Sequence, residues 1–369
     1  MKFSTIPGHE ILKRQLTESA ATGRVAHAQL FLGREGCGNL ALALAYAQYL
    51  ACTDRAETDS CGVCPSCNKY QQLVHPDLHF SFPVAGEGNV TSFDFMEKWR
   101  IAISENPYMN IQDWMNTING DNKLPNINVR DISSIIRRLA MKAFESEYKV
   151  MIIWMPEYLG KFGNALLKII EEPQANTIII LVAQNADNIL STILSRSQLI
   201  KVQDFKNKEI QDYLINETNT EPALAQNIAN ISSGNLNKAL KLNVEMESAQ
   251  YPKFREWLLD CYQGNVIKIN MFSDGFIEQG REKLKSFLSY GLLIVRATII
   301  EPYITNEGKL STEESELVKN LTKLISHRNA ENVYRAINGC IYEIERNGNP
   351  KLIFINLSLE LRKYLKSAA

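Results

Sequence analysis

The chain has 369 residues, 45% hydrophobic and 22% charged, enough for two or three domains with real cores and too apolar for a mainly disordered protein. Lys plus Arg number 40 against 41 Asp plus Glu, and the resulting net charge of -1 lacks the basic excess of a protein that grips a DNA duplex unaided. Four of the seven cysteines crowd into residues 52–67, while Cys37, Cys261 and Cys340 are scattered, which fits metal binding in a reducing compartment better than a disulfide framework.

Residues 1–5 lead into Pro7, Gly8, His9 and Glu10 rather than an apolar run, so no secretory signal is expected. The first β-rich run, 29–32, is followed by Gly33-Arg34-Glu35-Gly36-Cys37-Gly38-Asn39-Leu40 and then by a helical pattern. This is the frame of the phosphate loop G-x-x-x-x-G-K-[ST] with its last two residues changed. Gly33, Gly36 and Gly38 allow a phosphate to approach the backbone. Asn39 stands where a lysine should counter the phosphate charge, however, and Leu40 where a hydroxyl should hold magnesium. Nucleotide is therefore not expected on this chain, and hydrolysis still less. The apolar stretch 40–52 is interrupted by Gln48 and falls short of the ~18 residues a membrane span requires. No membrane contact and a cytoplasmic location are expected.

Cys52, Cys61, Cys64 and Cys67 offer four soft ligands, with two C-x-x-C spacings sharing Cys64. Such a set suits a closed, structural tetrahedral zinc, and an iron–sulfur cluster would use the same ligands. His75-Pro76-Asp77 reads as a turn into a second β-rich run at 79–84 rather than a catalytic pair, because Pro76 restricts the backbone and a strand pattern follows at once. Residues 85–128 form an insertion, glycine-rich at its ends and apolar in its middle at Phe93, Phe95, Trp99 and Trp114, expected to carry short helices of its own. Arg137, Arg138 and Lys142 form a basic stretch on a helical pattern and read as a solvated face.

The third run, Lys149–Trp154, is followed by Met155 and Pro156, and the first acid is Glu157; the carboxylates that hold metal after this strand in a working NTPase are missing. A helix is expected next, with Ala165, Leu166, Ile169 and Ile170 on one face and Pro173 stopping it after Glu171 and Glu172. A fourth run covers Thr177–Ala183. Ser195-Arg196-Ser197 then precedes the fifth, 199–202. Short apolar runs between helical patterns indicate a mostly parallel α/β sheet. From residue 207 the strand signal ends. Helices punctuated by Ser232, Ser233 and Gly234 fill 207–242, and long amphipathic helices fill 250–369. Among the latter are a Ser311–Glu314 capping box before a stripe of Leu317, Val318, Leu321, Leu324 and Ile325, and a last helix opened by Pro350.

Taken in order, His27-Ala28-Gln29-Leu30-Phe31, the four cysteines, His75-Pro76-Asp77, Asn164-Ala165-Leu166-Leu167-Lys168 with Glu171-Glu172-Pro173, Ile193-Leu194-Ser195-Arg196-Ser197-Gln198, Gly234-Asn235-Leu236-Asn237-Lys238-Ala239-Leu240 and Asn349-Pro350-Lys351-Leu352 resemble the AAA+ clamp-loader subunits of bacterial DNA polymerase III. The broken loop resembles the family's non-catalytic members rather than the gamma or tau ATPase. Departures are Asn237 at the sensor 2 arginine, Gln184 near sensor 1, Ser197 after Ser-Arg, and the long 85–128 segment.

The resemblance implies an AAA+ P-loop-type parallel-sheet domain over 1–204 with a zinc module at 52–67, a helical lid over 205–247 and an all-α collar for oligomerisation over 248–369. It favours zinc at the four cysteines. It makes Arg196, with Ser195 beside it, the finger offered in trans to ATP bound on a neighbouring subunit. The implied partners are the gamma/tau ATPase subunits and delta, with the sliding clamp and primed DNA reached through the complex. An autonomous ATPase of the same fold and a zinc-stabilised scaffold in another AAA+ machine are the competing functions.

Overall fold

A computed structural model describes residues 1–85, 90–120, 124–220, 222–247, 250–300, 312–325, 329–346 and 348–366. Ser311 of the Ser311–Glu314 capping box and the glycine-rich ends of the insertion at 86–89 and 121–123 lie outside the described residues. The chain divides into two compact units: Met1–Ile210 with Ser232–Lys238, and Gln211–Ile231 with Ala239–Ala369.

The first unit is built on five strands, β1 Ala28–Leu32, β2 Leu78–Ser81, β3 Lys149–Trp154, β4 Thr177–Ala183 and β5 Gln198–Lys201. They pair in the order β2-β3-β4-β1-β5, every pairing parallel. The α/β, P-loop-type sheet expected from the sequence is present. Leu30 of β1 registers with Leu181 of β4 and Leu199 of β5. All side chains of β3 and β4 are buried, as strands covered on both faces must be. The β2 run is shorter than its apolar pattern suggested, because Pro83 has no N–H to give the ladder. Residue 84 instead makes an isolated antiparallel bridge to Asn126.

The helix after the phosphate-loop frame, Asn39–Ala51, is buried on every face, so its near-continuous apolar sequence is core rather than membrane. The insertion carries the short helices expected of it, Met96–Glu105 and Ile111–Thr117. An aromatic cluster fastens them to the sheet: Trp99 stacks on Phe82 at 4.0 Å and meets Trp114 and Trp154 at 5.0 and 5.1 Å. The helix expected around Ala165 is mostly irregular. Gly160 takes a left-handed conformation inside a 3₁₀ stretch, Pro156–Leu166, and regular α-helix covers only Leu167–Glu171. Leu166 and Ile170 point inward as expected, whereas Ala165 is exposed.

The second unit is helical throughout its described residues. Its core centres on Phe254, Trp257, Phe276, Phe287 and Phe354. Trp257 stacks on Phe354 at 5.1 Å while its Nε1 donates to Ser358 Oγ at 3.0 Å, so the largest side chain is buried without an orphaned donor. The Leu317, Val318, Leu321 and Ile325 stripe is buried. Pro350 opens the last helix, Pro350–Lys366, with Asn349 Oδ1 accepting from Lys351 N at 3.0 Å. No described helix is long and apolar enough to cross a membrane.

Candidate functional site

In an open parallel sheet, ligands lie beyond the carboxyl ends of the strands, and the degenerate loop follows β1 at that edge. Gly36 and Gly38 have φ of +71° and +86°, backbone that only glycine adopts without strain. A Cβ on Gly36 would lie 1.9 Å from Asn235 Oδ1, and one on Gly38 would lie 2.8 Å from the Phe205 ring. The room that a Cβ would take at these two glycines is thus held by this chain's own Asn235 and Phe205 side chains.

Asn39 points back into the fold. Its Nδ2 donates to Ala183 O at 2.9 Å, tying the loop to the end of β4, and its Oδ1 accepts from Leu40 N at 2.9 Å. Leu40 is buried. Under the loop, burial pushes the Cys37 thiol up to about 12, so it is a neutral filler rather than a nucleophile. Over the loop, the His9 ring donates to Cys37 O at 2.8 Å and packs on Phe205 at 4.7 Å. Burial lowers the pKa of that imidazole.

Asn106, Asn110 and Asp113 of the insertion reach Glu35 and Asn237, partners that no local pattern in the sequence points to. Asn110 Nδ2 and Asn235 Nδ2 both donate to Glu35 Oε1, at 3.0 and 3.2 Å. Asn237 is 1% exposed; its Oδ1 accepts from Asn106 Nδ2 at 2.7 Å and its Nδ2 donates to Asp113 Oδ2 at 2.8 Å. Leu236 N donates to Gly36 O at 3.0 Å. The sole local signal was a capping pair: Asn110 and Asp113 exchange bonds at the start of Ile111–Thr117. An asparagine has both the acceptor and the donor that this bridge uses, whereas an arginine has no side-chain acceptor.

The acids of a metal-dependent NTPase do not assemble after β3. Met155 is in the left-handed region, and Glu157 Oε1 accepts from the N–H groups of Gln184 and Asn185 at 2.6 and 2.9 Å. Burial raises the pKa of Glu157 against those two donors. Its role is to hold the turn after β4.

Arg196 lies in the turn between helix Ser191–Leu194 and β5 and is partly exposed. Its Nε pairs with Glu171 Oε1, and its Nη1 donates to Thr192 O at 3.0 Å and to Ser195 Oγ at 3.2 Å. Ser195 therefore touches the arginine directly. The basic stretch is placed on helix Val129–Leu139 and just beyond it, with Arg138 over the Phe93 ring at 5.2 Å.

The four cysteines converge, their sulfurs all within 4.8 Å of one another. Cys52 and Cys61 lie 3.6 Å apart and Cys61 and Cys67 3.9 Å. Four sulfurs bound tetrahedrally to one ion at ~2.3 Å stand about 3.8 Å apart, so the set fits a single metal ion; the several irons of a cluster would spread it further. Backbone N–H groups of Cys61, Cys64 and Cys67 point at the sulfurs of Cys52, Cys61 and Cys64 at 3.3 to 3.4 Å. Burial opposes ionisation of Cys64, yet donors on Cys67 and Thr53 bring its thiol down to about 6. These residues could hold a metal such as zinc.

His75 and Asp77 do not form a catalytic pair. Asp77 accepts from the N–H groups of Phe144, Glu145 and Ser146 at 2.6, 2.7 and 2.9 Å, and His75 Nδ1 accepts from Asp77 N at 3.1 Å. The motif folds the loop that feeds β3.

Residues 8–206 match the family model described as DNA polymerase III, delta subunit. The chain is 27% identical over 301 residues to DNA polymerase III subunit delta' of Bacillus subtilis, covering 80% of this chain and 78% of that protein. It is 24% identical over 330 residues to the delta' subunit of Haemophilus influenzae, covering 88% and 80%. Similarity to the Escherichia coli tau subunit is 24% over 246 residues, covering 65% of this chain and 32% of that protein. Among solved structures, a DNA polymerase III gamma subunit-related protein of Thermotoga maritima covers 95% of this chain and 99% of its own at 16% identity and a TM-score of 0.43.

Proposed function

The chain belongs to the DNA polymerase III delta subunit family, the clamp-loader resemblance read from its motifs is borne out by its delta' relatives, and from that premise we propose that it is a clamp-loader subunit that does not hydrolyse ATP. One observation carries the reading: the bonds from Asn106, Asn110 and Asp113 tie the insertion to Asn237 and to Glu35 of the degenerate loop, while Asn39 donates to the end of β4. A triphosphate would meet no lysine and no hydroxyl for magnesium.

In this reading the chain acts on a neighbour. It assembles with gamma/tau ATPase subunits and delta through its helical C-terminal collar, residues 248–369, with 205–247 as the lid. It offers Arg196 to ATP bound on the adjacent subunit. A guanidinium suits that task because it stays charged and gives several planar donors to phosphate oxygens. Such a finger is worth about 10³ to 10⁵ in rate. The complex would then open the sliding clamp and place it on primed DNA in the cytoplasm.

Zinc at Cys52, Cys61, Cys64 and Cys67 would be structural, because four protein ligands leave no open position for water. When bound, the ion supplies cross-linking of the module rather than chemistry. Reconstitution with the ATPase subunits tests the whole proposal. The isolated chain should bind no ATP, and the complex with Arg196→Ala should assemble but turn ATP over at least a hundredfold more slowly. ATP turnover by the isolated chain, or full turnover by the Arg196→Ala complex, would refute it.

A further inference from the structure

Glutamate is an unfavourable residue at position 171. It closes the helix Leu167–Glu171, where the carbonyl ends of the helix repel a carboxylate, and Pro173 stops any continuation. Nor does its pairing repay this through stability, since both side chains are more than a third exposed and exposed pairs contribute little. A local rule broken without structural gain is expected where function requires it.

What the pair does is set a direction. The guanidinium has five N–H donors. Nε is taken by Glu171, and the two on Nη1 by Thr192 O and Ser195 Oγ. Ser195 Oγ in turn donates to Thr192 O at 3.2 Å, which leaves its lone pairs facing the arginine. Among the described residues Nη2 has no partner. Three contacts thus fix the plane of the group and leave one nitrogen, with two donors, to present outward.

We propose that Glu171 is the positioning residue for Arg196, holding its Nε edge so that Nη2 is presented to the γ-phosphate of nucleotide on an adjacent subunit. This rests on the arginine-finger reading above. Pre-orientation matters because a long, exposed arginine otherwise loses rotamer freedom when it engages, and small misplacements of catalytic groups cost up to 10²-fold in rate. Glu171 touches neither phosphate nor metal in this scheme; it acts through Arg196.

The test uses the complex reconstituted from full-length chains, with ATP turnover read as kcat and KM. Glu171→Ala should lower kcat about tenfold with KM for ATP and assembly unchanged. Glu171→Gln, which keeps an oxygen to accept from Nε, should recover most of the rate, and Glu172→Ala should match the unmodified complex. If Arg196→Ala is slow but Glu171→Ala is not, or Glu171→Gln is as slow as Glu171→Ala, the positioning role fails and the finger stands. If Arg196→Ala turns over at full rate, the finger reading itself fails.

Discussion

Replacing Asn237 by alanine cuts the bridge between the insertion and the 235–237 segment that meets the degenerate loop. The side chain makes one neutral hydrogen bond to Asn106 and one to the Asp113 carboxylate. A neutral bond contributes ~1 kcal/mol net and one to a charged group about 1.5–3. Asn106 and Asp113 are half-buried, so water can partly replace the lost partner, and the expected cost is about 2 kcal/mol, some thirtyfold in the folding equilibrium. Urea unfolding followed by tryptophan fluorescence measures it. Trp99, Trp114 and Trp154 all lie in the first unit, and a Trp257→Phe background removes the signal of the second. A double-mutant cycle with Asp113→Ala isolates the bridge and should give a coupling of about 1 kcal/mol or more. A cost under ~0.5 kcal/mol, or additive single changes, would show that the network does not hold the insertion down.

Restoring the phosphate-loop letters should not restore the site. Asn39→Lys combined with Leu40→Thr is expected to give no ATP binding by titration calorimetry, because Asn235 still stands against Gly36 and Phe205 against Gly38; micromolar affinity would refute this. Elemental analysis should find one zinc per chain, and Cys64→Ser should lose it and open residues 52–67 to limited proteolysis. An iron content, or a Cys64→Ser chain that keeps full metal, would count against the assignment. Burial would raise the Asp77 carboxyl, but the donors of Ser146, Glu145 and Phe144 outweigh it and hold the pKa below its ordinary value. Its stabilisation is therefore complete above about pH 4 and is lost as pH falls through the lowered native value. Asp77→Asn should flatten acid unfolding in that window, and an unchanged acid limb in denaturation curves would contradict it.

Much was legible in the chain because the signals were local. Lys149–Trp154 and Thr177–Ala183 are short, mostly apolar runs rich in β-branched residues, and a strand buried on both faces needs little else to declare it. Two C-x-x-C spacings bring Cys61, Cys64 and Cys67 together, and Cys52 at the end of the preceding helix lies only nine residues away in the chain. The Asn39 and Leu40 changes remove named chemistry from a recognisable frame. Where local pattern misled, backbone detail was the cause: Gly160 in a left-handed turn broke the expected face at Ala165.

The sequence by itself determined the parallel sheet, the helical remainder, the convergence of the cysteines and the placing of Asn39 and Leu40, with neither lysine nor hydroxyl, after the glycine loop. Each depends on residues close together in the chain. Only the tertiary structure decided what replaced the missing chemistry. Asn106, Asn110 and Asp113 reach Glu35 and Asn237 across separations of 75 to 131 residues, and Glu171 finds Arg196 across 25. Polar side chains on exposed-looking turns carry no periodicity that points to a partner, so such pairings follow from packing alone.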